Sequence, residues 1–328
     1  CICCTLRGDL LAEVRKLAEA GRFDYLLIES TGISEPLPVA ATFEFRDAAG
    51  DSLSDITDLD TMVTVVDAAN LAAQFGSIDA LAAHGETLGP DDERRLVHLL
   101  TDQIEFADVI VLNKVSIATA SALAAARRII RSLNAGARII EADFSRVGID
   151  AVLGTGRFDF ERAEQHPLWF RELNGFADHV PETLEYGIRS FVYRARRPFN
   201  PLLFHRFAER LHPGVIRAKG FFWLATPPHY VGELSQAGRL LQTGRRGLWW
   251  AAVPTRRWPD DPQWEAAMGA YLDPVWGDRR QELVFIGSDP MDEAAMRREL
   301  DACLVPARAF TPSEWEHLPD PFPAWPQA

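Results

Sequence analysis

Three of the chain's four cysteines, Cys1, Cys3 and Cys4, stand within four positions of one another. Thiolates grouped in this way can bind a soft or borderline metal ion or form a redox pair. In an extended segment Cys1 and Cys3 point to one side and Cys4 to the other, so all three can reach one ion only where the backbone turns. A structural zinc site takes four ligands. With three local thiolates the fourth position is open or filled from elsewhere, which suits a protein that passes its metal on.

The cysteines have two alternative explanations. Four cysteines in 328 residues are too few for a small domain that is held together by disulfides. Three neighbouring thiols that only fill a core remain an alternative, although buried cysteines seldom cluster. Cys303 is different, because it lies alone in an apolar helical run at residues 300–305. It is predicted to be a core residue.

Polar side chains directly follow three apolar runs of strand length. The runs and the residues after them are 23–28 with Glu29, 62–66 with Asp67, and 109–112 with Asn113 and Lys114. Apolar runs without alternation are typical of parallel strands that are buried on both faces. In sheets of that kind, ligands bind beyond the carboxyl ends of the strands. We therefore expect these four polar residues to share one crevice, the alternative being that each is an ordinary turn residue.

Residues 113–116, Asn-Lys-Val-Ser, come close to the Asn-Lys-x-Asp signature with which many GTPases recognise guanine. In that signature the acidic side chain accepts hydrogen bonds from two donors on the edge of guanine, while Asn and Lys brace the base. Here Ser116 stands at the acidic position. A hydroxyl group cannot offer a bidentate carboxylate, so we expect weaker discrimination against adenine.

Helical patterns separate the predicted strands. They cover residues 5–20, ended by Gly21, and then 68–75, 91–106 and 118–134. Strands that alternate with helices predict an α/β fold with a doubly wound, mostly parallel sheet. The cysteines come just before the first helix, where backbone N–H groups and the helix dipole favour thiolates.

The second half of the chain has a different pattern. Strands are predicted at 187–194, 215–226, 247–253 and 282–287, and helices at 201–211, 262–272 and 291–304. This order predicts a second, smaller α+β domain with an antiparallel sheet. The stretch 189–257 holds 13 basic and 2 acidic side chains, which is either a docking surface for an acidic partner or a solvated face.

Composition argues against two classes of partner. The net charge is −13, and no motif for binding RNA is present, so we expect no nucleic acid partner. No apolar run reaches the length that spans a membrane, so we expect no membrane partner and a cytoplasmic protein.

Three segments in order resemble the CobW-like family of P-loop GTPases and metallochaperones. They are Cys-Ile-Cys-Cys-Thr-Leu-Arg-Gly-Asp-Leu, Ile-Glu-Ser-Thr-Gly-Ile-Ser-Glu-Pro and Leu-Asn-Lys-Val. Residues 187–191 and 217–223 resemble the family's C-terminal domain, and residues 276–287 and 318–323 are similar to its bacterial zinc-allocating branch. The resemblance covers nearly the whole chain.

The resemblance implies roles for individual residues. Cys1, Cys3 and Cys4 fall on the family's metal-binding Cys-x-Cys-Cys motif. Glu29 and Gly32 fall on its Glu-x-x-Gly element near Mg²⁺ and the terminal phosphate, with Glu29 as the catalytic residue.

The implied nucleotide-binding set also includes the residues at the ends of the later strands. Asn113 and Lys114 fall on the base-recognising motif and Ser116 departs from it, while Asp67 joins the set because its strand end is expected to share the same crevice. The implied cofactors are GTP, Mg²⁺ and Zn²⁺. The implied partner is a client metalloprotein, and a homodimer is a candidate assembly.

One element of the family is missing from these residues. No Gly-x-x-x-x-Gly-Lys-Ser/Thr phosphate loop occurs, and Gly154-Thr155-Gly156 lacks the lysine. The family's loop lies ahead of its cysteines, and the first methionine here is Met62. We therefore expect further sequence ahead of Cys1, a P-loop NTPase sheet that is incomplete at its N-terminus, and no hydrolysis by these 328 residues alone.

The predicted domains are a nucleotide- and metal-binding GTPase domain at 1–165, a linker at 166–186, a CobW C-terminal-like domain at 187–305 and a Pro-rich tail at 306–328. The predicted function is a GTP-dependent metallochaperone, which binds Zn²⁺ or a related divalent ion at the Cys-x-Cys-Cys motif and delivers it to a client protein. The alternative is a non-catalytic metal-binding scaffold or sensor with a degenerate nucleotide site.

Overall fold

The computed structural model describes residues 7–30, 32, 34–44, 46, 50, 52–76, 96–159, 187–308 and 310–323. The predicted metal ligands Cys1, Cys3 and Cys4 lie outside the described residues. The described residues divide into two compact units, one ending at residue 159 and one beginning at Gly187. No helix in the part of the chain that the structure describes is long and apolar enough to cross a membrane.

The first unit alternates helices and strands. In chain order they are α1 (Arg7–Glu19), α2 (Pro36–Glu44), β1 (Val63–Asp67), α3 (Leu71–Gly76), α4 (Leu96–Glu105), β2 (Val109–Asn113), α5 (Ala120–Leu133) and β3 (Arg138–Glu141). The three strands form a parallel sheet in the order β1-β2-β3. This confirms the α/β prediction, and parallel pairing brings the carboxyl ends of the strands to one edge.

Burial follows the position of each strand in this sheet. Residues 109–112 of the central strand β2 are all buried, because β2 has a hydrogen-bonded neighbour on each side. On β1, which has one neighbour among the described strands, Val63 and Val65 are exposed. The fully apolar pattern predicted from the sequence therefore describes β2 well and β1 only in part.

The strand predicted at 23–28 is wrong. These residues have no regular secondary structure, and Phe23 and Leu27 are 64% and 74% exposed. A strand needs a hydrogen-bonded neighbour, and none pairs with this segment among the strands of the described residues. The segment is held by side chains instead, since Ile28 packs on the cluster around Val14.

The predicted helices of this unit are confirmed where the structure describes them, while residues 5–6 and 91–95 of two predicted helices lie outside the described residues. Helix α1 stops at Glu19 and is followed by Gly21 with a φ of +59°, a conformation that glycine adopts without strain. In this unit, helix α2 and strand β3 were not predicted. Helix α2 carries two prolines in its first turn, where the missing N–H groups have no helical partner, and β3 is only four residues long.

The second unit holds an antiparallel sheet in the order β4-β8-β5-β6-β7. Its elements are β4 (Arg189–Ala195), α6 (Pro201–Ala208), β5 (Val215–Phe222), β6 (Tyr230–Ala237), β7 (Leu240–Leu248), α7 (Pro262–Gly269), β8 (Gln281–Gly287), α8 (Glu293–Cys303) and α9 (Pro312–Trp315). The predicted α+β architecture is confirmed. Aromatic residues such as Phe199, Phe204 and Phe285 fill its core, and Cys303 is buried there as predicted.

One strand of this unit was misplaced in the prediction. The strand expected at 247–253 is wrong, because β7 ends at Leu248 and a 3₁₀ turn follows at Trp250–Ala252. The carboxylate of Asp278 stabilises the turn by accepting hydrogen bonds from the backbone N–H groups of Trp250 and Ala251 at 2.9 and 2.8 Å. Strand β6 was missed because its Gly, Glu, Ser and Gln residues obscure the apolar alternation.

Candidate nucleotide site

The ends of β1 and β2 bring three of the predicted site residues together. Asp67 and Asn113 are opposite each other in the parallel register. Lys114, the next residue, has a φ of +64°, and its Nζ donates to Oδ2 of Asp67 at 2.7 Å. The left-handed turn after β2 therefore directs the lysine back across the strand ends.

The Asp67 carboxylate is bonded on both oxygens. Oδ1 accepts from the backbone N–H groups of Ala69 and Asn70 at 2.9 and 3.2 Å, and Oδ2 accepts from Nδ2 of Asn70 at 2.9 Å as well as from Lys114. Burial on its own raises the pKa of this carboxyl, but the bonds from Lys114, Asn70 and Ala69 outweigh it and lower the pKa. Asp67 thus stays ionised and fixes both Lys114 and the turn after β1.

The loops after β2 and β3 are joined by side-chain hydrogen bonds. The Asn113 side chain accepts from the backbone N–H of Ser145 at 2.9 Å. Ser116 donates to Oδ1 of Asp143 twice, from its backbone N–H at 3.0 Å and from its hydroxyl at 2.8 Å. The position where the signature has an acidic residue is therefore in direct contact with an acidic side chain from another loop.

Sequence reasoning missed Asp143. The signal was the same as for Asp67 and Asn113, a polar residue just beyond a strand, but the strand before it, Arg138–Glu141, is too short to be predicted from an apolar run. Pairing of β2 with β3 places Leu112 opposite Glu141. The loops that follow them therefore start at the same edge of the sheet.

The Glu-x-x-Gly element is held by different contacts from those of the strand-end residues. The backbone oxygens of Gly32 and Ser34 accept from Nε2 of Gln103 at 2.8 and 3.1 Å, which ties this segment to α4. Glu29 is exposed, and its carboxylate has no hydrogen-bond partner among the residues that are described. No described contact joins Glu29 to Asp67, Asn113 or Lys114, so the structure brings the strand-end residues together without Glu29.

The Gly154-Thr155-Gly156 segment is bound by a carboxylate. Oδ2 of Asp60 accepts from Tyr25 at 2.7 Å, from the Thr61 hydroxyl at 2.6 Å and from Thr155 N at 3.1 Å, and Oδ1 accepts from Gly156 N at 2.6 Å. The backbone N–H groups of Thr155 and Gly156, which would have to donate to a bound phosphate, therefore already donate to Asp60. Burial on its own raises the pKa of Asp60, but these hydrogen bonds outweigh it and bring the pKa to about 2.

We predict that Asp60→Asn destabilises the first unit by about 1–3 kcal/mol at neutral pH, the range for donors that lose a charged acceptor. The folded-state pKa of Asp60 lies below its ordinary value of 3.8. The carboxylate's contribution is therefore complete above that ordinary value and is lost as the pH falls toward about 2. Denaturant unfolding from pH 6 to pH 2 should give a shallower pH dependence for Asp60→Asn than for the wild type. The exposed Asp58→Asn is the matched control, and parallel curves for wild type and Asp60→Asn would contradict the prediction.

The chemistry of the described residues suits two of the implied ligands. Lys114, Asn113 and Asp143 offer a cation, an amide and a carboxylate at one sheet edge, which are the groups that hydrogen-bond a nucleotide base. The Glu29 carboxylate is a hard oxygen ligand of the kind that Mg²⁺ prefers. Among the described residues no group of three His, Cys, Asp or Glu is arranged to hold a metal ion, and the cysteine motif lies outside them.

Two family models match the chain. The model "CobW/HypB/UreG, nucleotide-binding domain" matches residues 1–141. The model "Cobalamin synthesis protein cobW C-terminal domain" matches residues 188–304. The first match includes the cysteine motif, the Glu-x-x-Gly element and the Asn-Lys motif, and the second covers most of the antiparallel unit.

Curated relatives carry names that refer to zinc. The zinc-regulated GTPase metalloprotein activator 1 of Dictyostelium discoideum is 44% identical over 309 residues, which are 93% of this chain and 64% of that protein. The zinc chaperone CobW of Sinorhizobium sp is 31% identical over 320 residues, 92% of this chain and 78% of that protein. The chain thus spans less than two thirds of the Dictyostelium protein. The crystal structure of the Zn(II)-bound YjiA GTPase from E. coli aligns with 92% of this chain and 77% of its own at 18% identity, with a TM-score of 0.35.

Proposed function

Since the chain belongs to the CobW family, by its nucleotide-binding and C-terminal domains, we propose that it is a GTP-dependent metallochaperone. It binds Zn²⁺ as cargo at Cys1, Cys3 and Cys4 and delivers it to a client metalloprotein. GTP hydrolysis drives the release. Delivery to a client and assembly as a homodimer remain predictions.

The observation that carries the nucleotide part is the cluster at the strand ends. The Nζ of Lys114 lies 2.7 Å from Oδ2 of Asp67. The side chains of Asn113 and Ser116 are hydrogen-bonded to the loop after β3. Such bonds hold the polar groups in place before a ligand arrives, which lowers the entropic cost of binding. In the proposed site Lys114 and Asn113 contact the base side of the nucleotide, and Asp67 positions Lys114.

Glu29 and Gly32 serve the phosphate side of the same nucleotide in this proposal. Glu29 would be a ligand of Mg²⁺, which when bound supplies positive charge at the transferring phosphoryl group. The carboxylate also orients the attacking water. Its exposure and lack of a partner in the described part of the chain leave it available for these roles.

Gln103 connects the phosphate side of the proposed site, at Gly32, with the strand that leads to the base side, β1. Its side chain binds the backbone of Gly32 and Ser34, and its own backbone oxygen accepts from the Thr64 hydroxyl at 2.8 Å. Thr64 is on β1, which ends at Asp67. A change in the segment around Gly32 can therefore reach the strand that positions Lys114, and we propose this route for coupling between the phosphate side and the base side of the nucleotide. GTP-driven release further requires that nucleotide state and metal state influence each other.

The proposal is tested by following zinc release from the full-length gene product. The Zn²⁺-loaded protein is mixed with a chelating dye, Mg²⁺ and either GTP or a non-hydrolysable GTP analogue. We expect GTP to speed the transfer of zinc to the dye and phosphate to be released in parallel, whereas the analogue should give no sustained transfer. Equal transfer rates with GTP, analogue and no nucleotide would contradict nucleotide-driven delivery.

A further inference from the structure

We propose that Asp143, from the loop after β3, supplies the base-recognising carboxylate that the Asn-Lys-x-Asp signature carries at its fourth position. This inference rests on the proposed function, since it assigns the base specificity of the same nucleotide site. In this chain the fourth position is Ser116, whose hydroxyl and backbone N–H both donate to Oδ1 of Asp143, at 2.8 and 3.0 Å. The carboxylate therefore lies one hydrogen bond away from the position that it occupies in the signature.

The remaining capacity of the carboxylate fits guanine. Oδ2 of Asp143 has no donor among the described residues, while Oδ1 holds Ser116. A carboxylate can accept about four hydrogen bonds, so Asp143 can still take both donors that guanine presents on one edge, its ring N1–H and its exocyclic amino group. Adenine has no N1–H and presents its amino group elsewhere, so it satisfies the carboxylate less well.

The surrounding bonds hold the Asp143 loop in place. The Asn113 side chain accepts from Ser145 N at 2.9 Å, and Val115 N donates to the Ala142 oxygen at 3.3 Å. Phe144 and Ser145 both have positive φ, 54° and 53°. Side chains disfavour this conformation, so the loop depends on these bonds to keep its shape. In this interpretation Asn113 also holds the loop that carries the acid, in addition to its proposed contact with the base.

Apolar side chains flank the two polar residues. Ile117, next to Ser116, is 70% exposed, and Phe144, next to Asp143, is 84% exposed. Binding sites for small molecules combine apolar surface with a few placed polar groups. The exposed ring of Phe144 offers apolar surface to a planar base, and the Asp143 carboxylate and the Asn113 amide offer hydrogen-bonding groups.

The contact with Asp143 determines what a substitution of Ser116 should do. Ser116→Asp on its own removes the hydroxyl donor and places a like charge beside Asp143, so it should not by itself create a better guanine site. Moving the acid requires the exchange Ser116→Asp plus Asp143→Ser. That double variant restores the signature and keeps one hydroxyl and one carboxylate at the contact.

The experiment measures nucleotide affinities of the full-length gene product by competition against a fluorescent guanine nucleotide, using GDP, ADP and xanthosine diphosphate. The wild type should prefer GDP. Asp143→Asn should lose roughly tenfold to a hundredfold in GDP affinity and gain in preference for xanthosine diphosphate, because its amide can donate to the carbonyl that xanthine has in place of the amino group. The double exchange should recover the GDP preference, and the exposed Asp150→Asn is the matched control that should behave as wild type.

The outcomes separate this inference from the proposed function. If the wild type binds no nucleotide, the proposed function fails and the inference fails with it. If the wild type binds GDP and Asp143→Asn keeps the same base preference, only the inference is overturned. Equal loss of all three nucleotides in Asp143→Asn, with no recovery in the double exchange, would also overturn it, because Asp143 would then only maintain the loop.

Discussion

Replacing Glu29 by Gln in the full-length gene product is expected to lower GTP hydrolysis by roughly 10²–10³-fold, the range for removing one group that stabilises the transition state electrostatically. Nucleotide affinity should change far less. Gln keeps the shape and volume of Glu but loses the charge that attracts Mg²⁺ and orients water, so the loss should fall on the chemical step. The measurement is single-turnover phosphate release together with nucleotide titration.

The exposed Glu44→Gln, at the end of α2, is the matched control for this substitution and should hydrolyse GTP at the wild-type rate. If Glu29→Gln also turns over normally, Glu29 is an ordinary turn carboxylate. The exposed position of Glu29, outside any strand or helix, makes this a sharp test, because its removal should leave the fold unaffected.

Removing two of the three clustered thiols is expected to abolish tight zinc binding. Cys3→Ala plus Cys4→Ala takes away two ligands, and a structural zinc site supplies on the order of 10–16 kcal/mol through about four. The affinity should therefore fall by more than roughly a thousandfold. Competition for Zn²⁺ with a chelating dye measures it, and in the wild type the affinity should also fall as the pH drops, because thiolates bind the metal and thiols do not.

Cys303→Ala is the matched control for the loss of a thiol. Cys303 is buried in α8, where its Sγ donates to the Glu299 oxygen at 3.2 Å, and burial raises its pKa to about 12. We therefore expect it to play no part in zinc binding. Unchanged zinc affinity in the Cys3 and Cys4 double variant, or a loss in Cys303→Ala, would contradict the assignment of the cargo site.

The sequence predicts most of the strand-end cluster and the class of each unit. Asp67 and Asn113 follow apolar runs that do form neighbouring parallel strands, as the apolar pattern predicts. The run at 23–28 looked the same, yet its side chains are exposed. An apolar pattern shows that a segment can be buried, but not that a partner strand pairs with it.

Asp143 shows why the rest of the site could not be predicted. Its role depends on a contact with Ser116 across 27 residues of sequence, and on a strand of four residues with only two apolar members. Neither local propensity nor a motif reports such a contact. The departure from the signature at Ser116 was visible in the sequence, whereas its compensation became visible only in the packing of two loops.

The central claim is that binding at the metal site and binding at the nucleotide site are coupled. A reciprocal binding measurement on the full-length gene product tests it most directly. The affinity for a non-hydrolysable GTP analogue is measured with and without Zn²⁺, and the affinity for Zn²⁺ is measured with and without the analogue. Linkage requires the same factor in both directions, and we expect roughly 5–150-fold. If neither ligand changes the affinity for the other, the protein is a metal-binding scaffold with an independent nucleotide site and the proposed mechanism is wrong.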